Sequence, residues 1–424
     1  MVKVCSQNLT LVMASLELND GSSKRVEEAN DEGNLKKLDS GEIKRSDSEK
    51  KKKKNSKRVS YKMPKLACFC IKSESDGKGN FEMEVEDEFR RRNPTHLVIM
   101  VNGLIGSAQD WKFAATQLLK KYPDDIVVHC SESNSSMLTF DGVNAMGERL
   151  AEEVKSMVKR HPSAQKISFI AHSLGGLVAR YAIAELYEQD ITIEPSQVNG
   201  DCREAKFKGK IAGLEPINFI TSATPHLGSW GHKQVPVFCG LYTMEKVAAR
   251  TSWFLGKSGK HLFLTDGGNE KPPLLLQMAS DTEDLKFISA LRSFRRRVAY
   301  ANARFDHLVG WSTSSLRRRN ELPQLKKLSR DSKYPHIVNV ETARTASPEN
   351  EVPTELKVVN GGENVNMEEE MLKGLTRLSW ERIDVSFSGS RQRFLAHNTI
   401  QVKGSWMNSD GADVIQHMVD NFLL

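Results

Sequence analysis

The chain has 424 residues, a net charge of +7 and an apolar fraction of 39%. That length exceeds an average domain but suits one large α/β domain accompanied by polar segments. No apolar run approaches the ~20 residues of a membrane span, so an integral helical span is excluded, and the modest net charge comes mostly from local clusters.

The N-terminal region is polar. Met1–Leu18 is mildly apolar but has no continuous apolar centre, and Glu17, Asp20, Glu27 and Glu28 follow closely, so no secretory signal is expected. Residues 19–60 almost lack large apolar side chains and peak in Lys50–Arg58. Such a stretch cannot bury enough surface to offset its ordering entropy. Residues 61–92 read as a transition, with a short apolar patch at Leu66–Ile71. The whole of 1–92 is therefore expected to be a disordered basic arm. Beside an anionic leaflet its lysines would give a peripheral membrane contact, and Cys68 or Cys70 could carry an acyl chain. The alternatives are a plain solvated arm or a nuclear-import signal. The basic run is local and has no aromatic platforms, so no nucleic-acid partner is expected. Six scattered cysteines (Cys5, Cys68, Cys70, Cys130, Cys202 and Cys239) show no metal-ligand spacing. They suit a reducing compartment with free thiols. The expected location is cytoplasmic, with the arm as the membrane contact.

A globular domain is expected over 93–424. His96–Val101 reads as a buried strand, followed by a turn at Asn102–Gly106. A helix opens at Ser107, with Asp110 completing a capping box and Trp111, Ala115, Leu118 and Leu119 on one face. Asp125–Cys130 is the next strand. Asp141–Arg160 is amphipathic, with Val143, Met146, Leu150, Val154 and Met157 on one stripe. Lys166–Ile170 is a strand and Leu177–Ile183 a helix. Pro216–Ser222 and Arg297–Ala303 are further strands, and Gly411–Leu424 is a terminal helix. This alternation predicts an α/β fold with a mostly parallel sheet and helices on both faces. Two insertions interrupt it. Residues 227–292, with Trp230, Phe238, Leu241, Trp253, Phe254, Leu262 and Phe263, have the composition of an apolar cap; the alternative is a set of ordinary helices packed on the sheet. Residues 312–375 read as a polar excursion.

Ala171-His172-Ser173-Leu174-Gly175-Gly176 links a strand to a helix through a tight turn with a central serine. This is the nucleophile elbow of an α/β-hydrolase. A serine hydroxyl is a weak nucleophile and must be presented to a base. The turn does this and aims helix N-terminal amides at the substrate oxygen. Small residues are needed two positions either side, here Ala171 and Gly175. Two backbone amides should form the oxyanion hole: that of Leu174, and that of Leu104 in the Gly103-Leu104 turn, where glycine lets the backbone approach.

In such hydrolases the acid and then the histidine follow the serine along the chain. Asp306, just past the Arg297–Ala303 strand, is the leading acid; Asp384, inside an alternating strand pattern, is the rival and is expected to face solvent. His397 leads as base, in the loop before the terminal helix. His417 reads as a packing or surface residue, His307 sits too close to Asp306 in sequence to pair with it, His172 is expected to pack, and His226 to line the pocket.

These residues resemble a family of serine esterases in the lipase-like α/β-hydrolase class, long filed as a domain of unknown function. The resemblance is carried by Val98–Ser107 with Asp110-Trp111, Ile170–Arg180, Thr221–Gly228, Tyr300–Trp311 and Ala396–Val402, and covers roughly 95–422. It implies Ser173 as nucleophile, Asp306 as acid and His397 as base. Asn102 stands where lipases of this class usually have histidine, which leaves the Leu104 amide available. The expected function is hydrolysis of a carboxylic ester, the apolar cap favouring a lipid acyl ester, with neither metal nor organic cofactor. The alternative is a hydrolase fold serving as a binding scaffold with little turnover.

Overall fold

A computed structural model of the chain describes residues 70–75, 81–86, 93–189, 209–229, 255–268, 271–343 and 363–424. These belong to one compact unit, Cys70–Leu424.

The strands in chain order are β1 (Cys70–Ser75), β2 (Phe81–Glu86), β3 (His96–Val101), β4 (Ile126–Cys130), β5 (Lys166–His172), β6 (Tyr187–Glu188), β7 (Lys210–Ile211), β8 (Glu215–Ser222), β9 (Arg296–Asn302), β10 (Ile337–Glu341) and β11 (Glu381–Val385). Nine of them form one sheet in the order β1-β2-β4-β3-β5-β8-β9-β11-β10. The six from β4 to β11 run parallel; β1, β2 and β10 add antiparallel edges. This is the doubly wound architecture of an α/β-hydrolase, as expected.

The core lies on both faces of the sheet because the central strands alternate apolar side chains to either side. From β3, Leu97, Ile99 and Val101 join one cluster. The helices Val143–Arg160 (α2), Gly175–Glu185 (α3) and Phe287–Arg292 (α6) pack into it. Val98 and Met100 join the other, with Lys112–Lys121 (α1) and Ala412–Asp420 (α10). At the N-terminal end of the strands, Asn218 clasps the last turn of the chain. Its amide donates to the Leu423 carbonyl (2.8 Å) and its Oδ1 accepts from the Leu423 N–H (3.3 Å). Phe422 stacks on His96 there.

Two stretches differ from the sequence analysis, and a third is described in part. Strands β1 and β2 fall inside the supposed arm: β1 pairs with β2, and β2 with β4. The sequence Phe81-Glu82-Met83-Glu84-Val85-Glu86 alternates with the period of a strand, but its charge masked the pattern. Residues 19–60 lie outside the described residues. The 312–375 segment is not simply an excursion. It supplies Trp311–Ser315 (α7), β10 and the helix Glu363–Thr376 (α8), whose Met371, Leu372 and Leu375 are buried; residues 344–362 lie outside the described residues. Of the expected cap, the helices Gly256–Leu262 (α4) and Leu274–Gln277 (α5) are described, and Leu262, Phe263 and Leu275 pack into the core. Trp230, Phe238, Leu241, Trp253 and Phe254 lie outside the described residues.

Asp384 does not face solvent. It is fully buried, and Arg317 Nη1 donates to both of its oxygens (2.8 and 3.1 Å). Trp311 Nε1 (2.7 Å) and Asn339 Nδ2 (2.8 Å) donate as well. The reason is β10, which covers the edge of β11 and brings Asn339 into register with Asp384. A buried carboxylate survives because paired donors replace its water.

A second buried carboxylate ties β4 to α2. Glu153 accepts from His129 Nε2 (2.9 Å), the hydroxyls of Ser131 and Ser133 (both 2.6 Å) and the Glu132 N–H (3.0 Å). Burial alone would raise its pKa; the His129 bond and charge and the two hydroxyls outweigh burial and bring it down to about 2. A carboxyl whose folded pKa is depressed stabilises the fold above its unfolded pKa and loses that contribution as pH falls towards its folded value. Wild type should therefore lose stability as pH falls from roughly 4.5 towards 2 through the Glu153–His129 pair. Glu153→Gln should be less stable at pH 7 and show a flatter loss over that window, read by urea unfolding at a series of pH values.

Candidate active site

The site begins with a backbone distortion. Ser173 follows β5 directly and has φ +54°, the left-handed region. Its N–H donates to the Ser222 carbonyl at the end of β8 (2.9 Å), and its own carbonyl accepts from the Gly176 N–H (3.1 Å) as α3 begins. The reversal is sharp enough that the preceding turn lies against it. A Cβ on Gly103 would sit 2.8 Å from the Ser173 Cβ and 3.2 Å from the His172 carbonyl. A Cβ on Gly175 would fall on the carbonyl oxygens of Val101 and Asn102. Both glycines are therefore required by close approach. The Gly103-Leu104 turn is itself braced from Ser136–Phe140: Thr139 Oγ1 accepts from the Ile105 N–H (3.0 Å) and the Ser136 N–H donates to Gly106 (3.0 Å). Asn102 Nδ2 donates to the Asn134 carbonyl (2.9 Å).

The structure brings Ser173, His397 and Asp306 together. His397 Nε2 lies 3.0 Å from Ser173 Oγ, and its Nδ1 lies 3.0 Å from Asp306 Oδ2. All three are buried. A carboxylate only accepts, so Nδ1 carries the proton and Nε2 is left to accept from the serine hydroxyl. Asp306 also accepts from the N–H groups of Leu308 (3.0 Å) and Val309 (2.9 Å) and from Asn302 Nδ2 (2.9 Å). Burial pushes this carboxyl up. The His397 charge and the bonds from His397, Asn302 and Val309 overcome burial and hold it below its ordinary value. It is a carboxylate whenever the chain is folded near neutrality.

Two side chains fix the short helix Ala396–Thr399 (α9) that carries His397. Asn302, the last residue of β9, donates to Asp306 and also to the Ala396 carbonyl (3.2 Å). His172 lies 2.7 Å through Nε2 from the His397 carbonyl, with the two rings 4.7 Å apart. A carbonyl only accepts, so His172 donates. Its pKa is driven well below normal, first by burial and then by the nearby His397, so it is a neutral donor. Sequence alone assigns His172 a packing role and does not single out Asn302, although an amide ending a strand four residues before Asp306 is a readable signal.

The remaining candidates separate from this cluster. His226 is fully buried. Its Nε2 pairs with Thr221 Oγ1 (3.0 Å), its carbonyl accepts from Arg180 Nη1 (3.2 Å), and its ring meets Trp380 edge-on. It is a core residue beneath the Thr224–Gly228 turn rather than the pocket wall expected of it. His417 bonds Tyr300 Oη (2.9 Å) in the core, matching its expected packing role. Among the described residues no group of three or more His, Cys, Asp or Glu is placed to hold a metal ion.

An α/β sheet with a serine at a left-handed strand-to-helix turn, bonded to a histidine from a late loop, defines the α/β-hydrolase class. The comparison with known families is specific. The profile described as "Putative serine esterase (DUF676)" matches residues 91–316, slightly over half of the chain, and the chain belongs to that family. The matched segment contains Ser173 and Asp306 and ends before His397. The chain is 32% identical over 251 residues to "Putative lipase ROG1" of Saccharomyces cerevisiae, covering 58% of this chain and 32% of that protein. It is 27% identical over 237 residues to "Putative lipase C4A8.10" of Schizosaccharomyces pombe, covering 54% and 27%. The match thus spans about a third or less of either relative's length. Among solved structures, carboxyl esterase 2 of Tuber melanosporum is similar at TM-score 0.39 and 9% identity, covering 86% of this chain and 93% of that one. Mature Bacillus licheniformis lipase BlEst2 is similar at TM-score 0.32 and 13% identity, covering 53% and 71%.

Asn302→Ala should loosen the Asp306 and α9 geometry while leaving Ser173 in place. Misplacement of a reacting group by about 1 Å can reduce a rate on the order of a hundredfold. Reaction of Ser173 with a fluorophosphonate should slow on the order of tenfold to a hundredfold, with little change in circular dichroism.

Proposed function

We propose that the chain is a serine hydrolase that cleaves carboxylic esters through an acyl-enzyme, and that its substrates carry a lipid acyl chain. The observation that carries this reading is the continuous hydrogen-bonded chain from Ser173 Oγ through His397 to Asp306. In the first half-reaction His397 Nε2 takes the Ser173 proton as Oγ adds to the ester carbonyl. Asp306 holds the imidazole in the correct tautomer and stabilises the imidazolium. The amides of Leu174 and Leu104 receive the developing oxyanion. Collapse expels the alcohol, which takes its proton from His397. Water then repeats the sequence on the acyl-enzyme and releases the acid. Family membership and similarity to the putative lipases support ester chemistry, and the apolar residues Trp230, Phe238, Leu241, Trp253 and Phe254 within 227–292 support a lipid acyl group.

A fluorophosphonate probe should label wild type and not Ser173→Ala; equal labelling of both would move the nucleophile elsewhere. Members of such a unit are strongly non-additive. Ester turnover by Asp306→Ala, His397→Ala and the double variant should therefore fall to a similar floor.

Chain-length preference tests the substrate class separately. Each buried CH₂ is worth up to about 0.8 kcal/mol. Turnover of p-nitrophenyl esters should rise from acetate to medium or long chains, and a strict preference for acetate would exclude a lipid acyl group.

A further inference from the structure

Three exposed large apolar side chains of the 390–410 stretch stand on turns next to the segment that carries His397. Trp406 is 86% exposed and Phe394 50%. Met407 is exposed beside Trp406. Trp406 and Met407 stand on a tight turn closed by Asn408, whose N–H donates to the Gly404 carbonyl (2.8 Å). Phe394 sits three residues before His397. The two segments are tied together: the Asp410 N–H donates to Gln392 Oε1 (3.1 Å), and Gln392 Nε2 donates to Ser409 Oγ (3.3 Å). The rim continues to the oxyanion turn. Lys403 Nζ meets Asp110 Oδ2 at 3.1 Å, and Gly106, beside Asp110, bonds Ser136. Next to Ser136 stands Met137, 62% exposed. Exposed apolar groups thus border both the His397 side and the Gly103-Leu104 side of Ser173.

The charge of this rim is cationic. Arg393 lies over the rings of Phe305 (5.8 Å) and Phe394 (4.7 Å). Arg304 and Arg391 are exposed. Of the acids on these segments, Asp110 is bonded to Lys403 and Asp410 to Ser390. Guanidiniums beside a projecting indole match the headgroup level of an anionic bilayer, where Trp is favoured for its apolar ring and polar N–H. A protein interface instead centres on one contiguous, packed apolar patch. Here the apolar groups stand on separate turns with polar residues between them.

We propose that this rim docks on an anionic lipid bilayer, with Trp406 and Phe394 entering the interface and Arg391 and Arg393 held at the phosphates. The docked face borders the segments that carry His397 and the Gly103-Leu104 turn. The docking is read without turnover, so it stands or falls independently of the role of Ser173.

The test uses the full chain with phosphatidylcholine vesicles with and without phosphatidylserine, including bromine-labelled acyl chains. Brominated anionic vesicles should quench the tryptophan emission of wild type, and Trp406→Phe should lose most of that quenching. Arg391→Glu should weaken binding roughly tenfold at low salt, and high salt should release wild type. Trp406→Ser should bind several-fold more weakly while turning over a soluble short-chain ester at the wild-type rate. Equal quenching in wild type and Trp406→Phe would overturn the proposal. So would vesicle binding indifferent to Trp406→Ser and Arg391→Glu, which would move the contact to another part of the chain. Emission unchanged by any vesicle would also overturn it, and would leave the rim to a protein partner.

Discussion

The arrangement around Ser173 depends on a non-glycine residue held in the left-handed backbone region. A residue there costs on the order of 1–3 kcal/mol and persists only where its surroundings over-determine it. Here β5 is flanked by β3 and β8, and the Ser173 N–H is bonded to Ser222 at the end of β8. On the other side α3 is wedged against the turn after β3, with Gly175 in contact with backbone oxygens. Neither wall can retreat without opening the middle of the sheet. The strain is therefore carried by the largest cooperative unit of the fold, and the hydroxyl is presented at a fixed point.

The histidine is positioned by different means. His397 sits on one turn of helix with little intrinsic stability of its own. It is held from outside by the Asp306 carboxylate, by Asn302 at the Ala396 carbonyl and by His172 at its own carbonyl. Asn302 and His172 end β9 and β5, which flank β8, so both strands reach to the same short helix. Ser173 is fixed by main-chain packing and His397 by side-chain donors. The two parts therefore respond differently to substitution.

Much of this was legible in the sequence. The strands His96–Val101 and Lys166–His172 are unbroken apolar runs, and the Ser173 turn needs small residues at fixed offsets, so both announce themselves locally. Asp306 and His397 were legible through chain order and strand ends, although 91 residues separate them. What sequence hid was long-range neutralisation. Asp384 looked solvent-facing because its partners, Arg317 and Asn339, come from a stretch whose composition is that of a loop. Strand β2 hid for a related reason: three glutamates in six residues mask the alternation that pairing with β4 requires. His226, beside a strand end, looked like a pocket residue because sequence cannot tell which side of a turn faces the core.

The clasp between Asn218 and Leu423 gives the molecule a handle. It lies in the N-terminal half of β8, whereas Ser173 and Asp306 follow the C-terminal ends of β5 and β9. Parallel strands of this length put roughly 20 Å of sheet between the two ends. A linker coupled to a cysteine introduced at Leu424 would emerge on the side away from Ser173. Protein immobilised on a sensor chip or resin through that position would present the Ser173 end of the sheet, and the exposed aromatic groups beside it, outward to solution.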